Sequence, residues 1–276
     1  MPSGTQLDVA RGLRLSLEQG PLAGRHRSTL RRWYAPTRAA PMRITRLGPR
    51  LVQLTKYPLV FPMNCFLVQE DDGLTLVDST MSSPAGEVAA LVGQLGGQLR
   101  RVALTHAHGD HAGGVGAVRR RFAGVEVSIS ERDAPILTGD KSLLPDEAQD
   151  PVKGYFVKVD WKPDRTFKPG DRICSLEVVA APGHTPGHVA FLDVRDRSLI
   201  AGDAFQTRGG IAVSGVLRPL FPFPAMATWH KPTALQTAIV LRGLDPSLLA
   251  VGHGDALRDP AAAMDQAIEA AGRAFR

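Results

Sequence analysis

Short apolar runs alternate with amphipathic stretches along most of this chain, and glycine or proline punctuates nearly every change. Apolar runs at 51–54, 64–69 and 74–77 predict strands, and Asp71-Asp72-Gly73 between the last two predicts a hairpin turn. The spacing over 84–95 predicts a helix with Ser83 as its N-cap and Pro84 in its first turn. Beyond it the pattern predicts a strand at 102–104, a helix at 111–122, a strand at 125–128 and a short helix at 131–137. Strands at 173–179, 189–193 and 198–201 follow, then a helix at 233–241, a strand at 248–251 and a closing helix at 260–271 capped by Asp259. Two stretches, 138–167 and 205–232, hold no sustained period and read as long connections. Strands grouped first and then alternating with helices, in an order repeated in the second half, predict a mixed α/β protein.

Composition narrows this picture. A chain of 276 residues, 43% hydrophobic, is long enough to bury a large core, and one α/β domain is the simplest arrangement. No apolar run reaches the roughly eighteen residues a membrane-spanning helix needs, so no membrane partner is expected. The formal charge of +6 is concentrated at the start. Residues 1–41 carry seven arginines against Asp8 and Glu18, which leaves 42–276 near +1. The chain therefore divides into a basic leader, 1–41, and a nearly neutral domain, 42–276. The leader reads as a disordered tail or as an extension upstream of a true start at Met42. Arg25-His26-Arg27 with Arg31-Arg32 leaves open an arm for phosphate groups. The neutral domain itself is expected to bind no nucleic acid. Cys65 and Cys174 both lie in apolar segments and read as buried, unpaired thiols, which fits a reducing cytoplasm.

Candidate chemistry is concentrated in one place. Thr105-His106-Ala107-His108-Gly109-Asp110-His111 sets three of the eight histidines and one aspartate between a strand-like run and a glycine-rich stretch. A solvated polar loop is the plain alternative, but neutral imidazole and carboxylate at this density are what a zinc or iron site requires. Three further residues share the setting: His184 in Ala181-Pro182-Gly183-His184, Asp203 after Leu199-Ile200-Ala201-Gly202, and His253 after Leu248 to Gly252. Each follows an apolar run and adjoins glycine, so several strands would deliver ligands to one sheet edge. A serine nucleophile is poorly supported, since Gly210-Ile211-Ala212-Val213-Ser214-Gly215 lacks the Gly-x-Ser-x-Gly spacing. His188 reads as structural or as support for a neighbouring ligand.

On these residues the chain resembles the metallo-β-lactamase superfamily, whose pattern His-x-His-x-Asp-His followed by a lone His, Asp and His is matched from about Met42 onward. The resemblance implies an α/β fold of the four-layer α/β/β/α sandwich type. It implies a first metal site of His106, His108 and His184, a second of Asp110, His111 and His253, and Asp203 bridging. Asp78, at the end of the 74–77 run, would support the histidine loop without binding metal. Two divalent metal ions are implied, zinc foremost, with manganese or iron as alternatives, and their shared water would be ionised near neutral pH. Asp110 is the expected catalytic residue, orienting that water or carrying its proton.

The substrate is expected to be a small molecule with an apolar portion, held by Phe205, Arg208, Phe221, Phe223 and Trp229 of the 205–232 connection. The 138–167 stretch, with Tyr155, Phe156 and Trp161, would form the opposite wall or a homodimer contact. Only 23 residues follow His253, which argues against a glyoxalase II-like enzyme with an added glutathione-binding domain. Gln206, where similar lactonases place tyrosine, weakens that assignment. Ester, lactone or thioester hydrolysis is the leading expectation. An iron persulfide dioxygenase using His106, His184 and Asp203 is the alternative, and a metal-binding domain without catalysis is a third reading.

Overall fold

The computed structural model describes residues 42–276, and the basic leader lies outside the described residues. Strands β1 (Arg43–Arg46), β2 (Leu51–Lys56), β3 (Met63–Glu70) and β4 (Gly73–Val77) form an antiparallel meander. It continues in parallel through β5 (Leu99–Ala103), β6 (Glu126–Ser130) and β7 (Arg165–Phe167) to make a seven-stranded sheet. Between these strands lie α1 (Ala85–Leu95), α2 (Gly109–Ala112), α3 (Val115–Arg121) and α4 (Asp133–Leu137). The second sheet contains β8 (Arg172–Ile173), β9 (Leu176–Ala180), β10 (Val189–Asp193) and β11 (Ser198–Ile200). After the small ribbon of β12 (Phe205–Gln206) and β13 (Ala212–Val213) come α5 (Phe223–Ala227) and α6 (Lys231–Gly243). Strands β14 (Leu248–Ala250) and β15 (Leu257–Arg258) complete the second sheet before α7 (Ala261–Ala274).

Three apolar clusters correspond to the three interfaces of an α/β/β/α sandwich. Val88 and Leu91 of α1 and Val115 and Val118 of α3 pack with Cys65, Leu67, Leu76 and Val102 on the outer face of the first sheet. Phe66, Val68, Val77 and Ala103 point the other way and meet Val178, Val189, Phe191 and Ile200 between the sheets. Ala190, Leu192, Leu199 and Leu249 then receive Ala234, Ala238 and Leu241 of α6 and Met264, Ala267 and Ala271 of α7. Successive residues of a strand face opposite sides, so strands covered on both faces read as unbroken apolar runs.

The elements depart from the sequence pattern at several places, and the stretches read as long connections hold the short elements β7, β12, β13 and α5. The expected helix at 111–122 is two short helices, because Gly113 and Gly114 cross the Ser79–Met81 backbone too closely to carry side chains. A Cβ on Gly114 would sit 2.2 Å from the Ser79 carbonyl oxygen. The run at 173–179 is a hairpin, with Ile173 paired to Leu176 across Cys174 and Ser175. Cys174 adopts a φ of 54° there and is exposed, so it is not the buried thiol expected, whereas Cys65 is buried. Pro260 rather than Asp259 occupies the cap of α7, with no side-chain cap bond. Ser83 does accept a hydrogen bond from the Ala85 N–H at 3.1 Å, although Pro84 occupies the cap of α1. Among the described residues no helix is long and apolar enough to cross a membrane.

Phe191 is fully buried between the sheets. Phe191→Ala is expected to lower unfolding stability by about 3–5 kcal/mol, read from the urea midpoint at unchanged slope. A thiol reagent applied to the native protein should modify Cys174 promptly and Cys65 only on unfolding, since burial pushes the Cys65 thiol up and shields it.

Candidate metal centre

Strands β4, β5, β9, β11 and β14 each end in a loop or turn that enters one site. β10 runs antiparallel to both β9 and β11, and β14 lies parallel to β11, so the last three share a direction. His106 and His108 leave the end of β5, and Asp110 and His111 occupy α2. His184 follows β9, Asp203 lies in a 3-10 turn over Gly202–Ala204, and His253 follows β14. Six of the seven are buried, and only the Asp110 side chain is partly open, at 16% exposure.

Their nitrogen and oxygen atoms converge. His106 Nε2 lies 3.1 Å from His108 Nδ1, which lies 3.0 Å from His184 Nε2. Four-coordinate zinc with bonds of about 2.0–2.1 Å holds its nitrogens roughly 3.3 Å apart, so this trio is close to coordination spacing. Asp203 stands between it and the remaining residues: its Oδ2 is 3.3 Å from His184 Nε2 and 3.2 Å from His253 Nε2, and its Oδ1 is 3.3 Å from His111 Nε2. Asp110 Oδ2 reaches His253 Nε2 at 3.3 Å. Three groups thus have donor atoms close enough to hold an ion: His106 with His108 and His184, His106 with His111 and Asp203, and Asp110 with His111 and His253. Buried His111 Nε2 and Asp203 Oδ1 have no hydrogen-bond partner, as expected of atoms arranged for a cation. The donor set therefore fits divalent metal.

A second ring of contacts orients the imidazoles. Asp78 Oδ2 accepts from His111 Nδ1 at 2.8 Å, and its Oδ1 accepts from the Thr105 N–H at 2.9 Å. Asp78 is held at a φ of 60°, strain concentrated at the site. His253 Nδ1 faces the Pro62 carbonyl at 2.6 Å, His108 Nε2 the Lys153 carbonyl at 2.8 Å, and His184 Nδ1 the Ser214 hydroxyl at 2.9 Å. Occupying one ring nitrogen in this way leaves the other free to face the site. Gly252 allows the loops to close: a Cβ there would lie 2.1 Å from Asp203 Oδ1. His188 Nε2 accepts from the Asp203 N–H at 3.0 Å.

Asp133 was not anticipated from the sequence. Its buried carboxylate accepts from the Ala107 N–H, the Gly187 N–H and the Thr185 hydroxyl, tying the His106–His108 loop to the His184 loop. An acidic residue in the first turn of a short helix carries no sign of such a role.

Electrostatics divide the imidazoles. Burial, then neighbouring imidazoles, hold His106 well below its usual value. Burial likewise lowers His184, and His188 falls to about 3. Burial also opposes charge on His111 and His253, but Asp203 with Asp78 or Asp110 outweighs it, raising His111 well above the usual range and His253 to about 10. Burial would raise Asp110 and Asp203, yet His253 and His111 bring both carboxyls below their ordinary value.

A cavity of about 330 Å³ opens over this cluster, lined beyond the histidines and aspartates by Phe61, Met81, Tyr155, Phe223, Pro224 and Met226 among others. Of the five expected substrate contacts only Phe223 lines it. Phe205 is buried on β12 in the cluster beneath α6 and α7, because the ribbon turns it inward. Phe221 is buried against His253 and Phe61, with ring centroids 5.3 and 5.1 Å away. Trp229 is buried and donates from Nε1 to the Asp150 carbonyl, while Arg208 donates to the Leu59 carbonyl. Phe61 and Met81, missed in the sequence, come from turns beside strand ends, where isolated apolar residues look ordinary.

The family model of the metallo-beta-lactamase superfamily matches residues 59–253, which spans all seven converging side chains. The chain belongs to the metallo-β-lactamase superfamily. It is 48% identical to YobT of Bacillus subtilis over 83% of this chain and 99% of that protein. The probable metallo-hydrolase YflN of Bacillus subtilis is 30% identical over 69% and 80% of the two chains. The hydroxyacylglutathione hydrolase GloC of Haemophilus influenzae is 32% identical over 55% and 70%. A metallo-β-lactamase from Pontibacter korlensis superposes with a TM-score of 0.63 at 21% identity, covering 84% of this chain and 99% of that one, a likeness of fold. With such relatives, this member of the superfamily is a metal-dependent hydrolase.

Neighbouring carboxylates favour the protonated form of His253, raised to about 10, and of His111, raised well above its usual range, whereas coordination needs neutral imidazole. Zinc binding at pH 8 should therefore release protons from both imidazoles in addition to the one lost by metal-held water, and apparent affinity should rise with pH up to about 10. Calorimetry in two buffers of different ionisation enthalpy measures the release, and one proton per chain or fewer would refute the charge assignment.

Proposed function

We propose that this superfamily member is a binuclear hydrolase that cleaves an ester, lactone or thioester of a small molecule with an apolar portion. The single observation that carries the reading is the position of the Asp203 carboxylate, within 3.3 Å of His184 on one side and of His111 and His253 on the other. A mononuclear iron centre of His106, His184 and Asp203 would leave the Asp110, His111 and His253 cluster without a use.

Bound divalent metal supplies Lewis-acid polarisation and an ionisable water at neutral pH. The chain's own residues do the rest. His106, His108 and His184 present ring nitrogens toward one position, and a carboxylate oxygen of Asp110 with ring nitrogens of His111 and His253 toward the other. Asp78, Ser214 and the Pro62 and Lys153 carbonyls fix which nitrogen faces inward. Asp110, the one partly open member, stands at the cavity wall, where its carboxylate is the group placed to take up a proton in passing and deliver it to the leaving atom. The apolar walls exclude water and raise the strength of each electrostatic contact within.

Asp203→Ala is expected to lower occupancy of both metals and to reduce turnover of aryl esters, lactones and thioesters by at least about a thousandfold. Elemental analysis of the purified variant checks the first part, and two metals retained per chain would remove the bridging role. Circular dichroism separates loss of metal from loss of fold.

A further inference from the structure

The apolar wall of the cavity does not stop at its mouth. Phe61 lines the cavity, and the turn that carries it exposes Leu59 at 79% and Val60 at 81%. The Phe61 ring lies 5.0 Å from that of Phe223 and 5.1 Å from that of Phe221. Leu220, beside Phe221, is 83% exposed, and Met226 on the cavity wall is 67% exposed. Arg208 ties the two segments together by donating to the Leu59 carbonyl, and the neighbouring Gly209 packs near the Leu220 side chain. The apolar wall formed by Met226, Phe223 and Phe61 is therefore adjoined by exposed Leu59 and Val60 on the turn that carries Phe61, and by exposed Leu220 next to Phe221.

Two further observations set the chemistry of what lies along it. Among the described residues no lysine or arginine lines the cavity, and apart from the histidines and aspartates the Tyr155 phenol is the sole polar side-chain group there. Away from the metal positions, a carboxylate-bearing carrier such as a glutathione thioester would have to desolvate its charge against apolar walls with no cationic side chain of the described residues to meet it. The cavity, at about 330 Å³, is also at the small end for ligand pockets, so a long substrate must extend outside it.

We propose that the substrate bears a long uncharged aliphatic tail, which leaves the cavity past Phe223 and Met226 and lies on the Leu59, Val60 and Leu220 rim. This rests on the hydrolase reading above. The occupant is the substrate's own tail because these exposed residues adjoin the cavity wall. A second copy of the chain on the same rim is the competing outcome.

The experiment uses the metal-loaded enzyme with butanoyl, octanoyl and dodecanoyl esters of one neutral alcohol, and with glutathione thioesters of the same acyl groups. Alkyl methyl ketones of matching length serve as uncleavable probes for binding by calorimetry. Each methylene withdrawn from water favours binding about fourfold, so kcat/KM should rise by at least tenfold from butanoyl to octanoyl and rise again to dodecanoyl. The Val60→Ser, Leu220→Ser double variant should reduce the dodecanoyl-to-butanoyl ratio severalfold and weaken the long ketone in parallel. Flat chain-length dependence, or preference for the glutathione thioesters, overturns the tail while leaving the hydrolase intact. A concentration-dependent dimer that the double variant dissolves also overturns it. If no acyl substrate is cleaved, the hydrolase reading fails, and the ketones alone decide the tail: length-dependent binding lost in the double variant supports it, and its absence overturns it.

Discussion

Withdrawing three carboxylates and five imidazoles from water into one small volume is the constraint that organises this molecule. Asp203 retains only 3% exposure and Asp78 none, and neither charge is tolerable there without opposite charge or donors within reach. Asp78 is satisfied by the Thr105 N–H and hydroxyl and by His111. Asp203 is satisfied differently, by imidazoles that carry protons when no cation is present and that would lose them to one. The site is therefore suited to exchange of protons against metal: neighbouring carboxylates favour charge on His253 and His111, and burial disfavours it on His106 and His184. Such a balance requires atoms fixed to a few tenths of an ångström, which explains why the candidate ligands leave strand ends and why backbone hydrogen bonds tie their loops. Val189 N–H to Thr105 O at 2.9 Å, and Ser79 N–H to His111 O at 2.7 Å, are two such ties.

What the sequence disclosed follows from the same constraint. A side chain that must leave a core and meet others at one point has to sit just past a strand, and glycine beside it lets backbones approach. Hence His184, Asp203 and His253 could be recognised from their setting alone. Strands buried on both faces made the apolar runs conspicuous, so β3, β4, β10 and β14 were visible to within a residue or two. The layer order was not contained in those runs, which say only that both faces are covered, and it entered through the resemblance of the histidine pattern. Features set by distant contacts stayed hidden. Nothing local marks Gly113 and Gly114 as a helix break, because the reason lies on the Ser79–Met81 backbone. Cys174 turns a hairpin without glycine, asparagine or aspartate to signal it.

The apolar residues of the 205–232 connection were the least legible, and their placement changes what they do. Phe221 packs its ring 5.3 Å from that of His253, with Phe61 5.4 Å away, and Phe156 lies 4.7 Å from His108. These aromatics press on candidate ligands from behind and the side. Their contribution is to limit the rotamers of the imidazoles, which preorganises the donors before any ion arrives. Residues that resemble a substrate lid in sequence are thus divided between a support for the site, such as Phe221, and a wall of the cavity, such as Phe223.

Asp110 and His111 show how closely the secondary structure is matched to this division. Adjacent positions on an α-helix project about 100° apart. One turn of helix is therefore enough to aim His111 into the interior, against Asp78 and Asp203, while Asp110 faces the cavity. α2 stops at Ala112, where the glycines begin, and any side chain at the next two positions would collide with the Ser79–Met81 backbone. The brevity of α2 thus separates a side chain turned to the interior from its neighbour on the cavity wall.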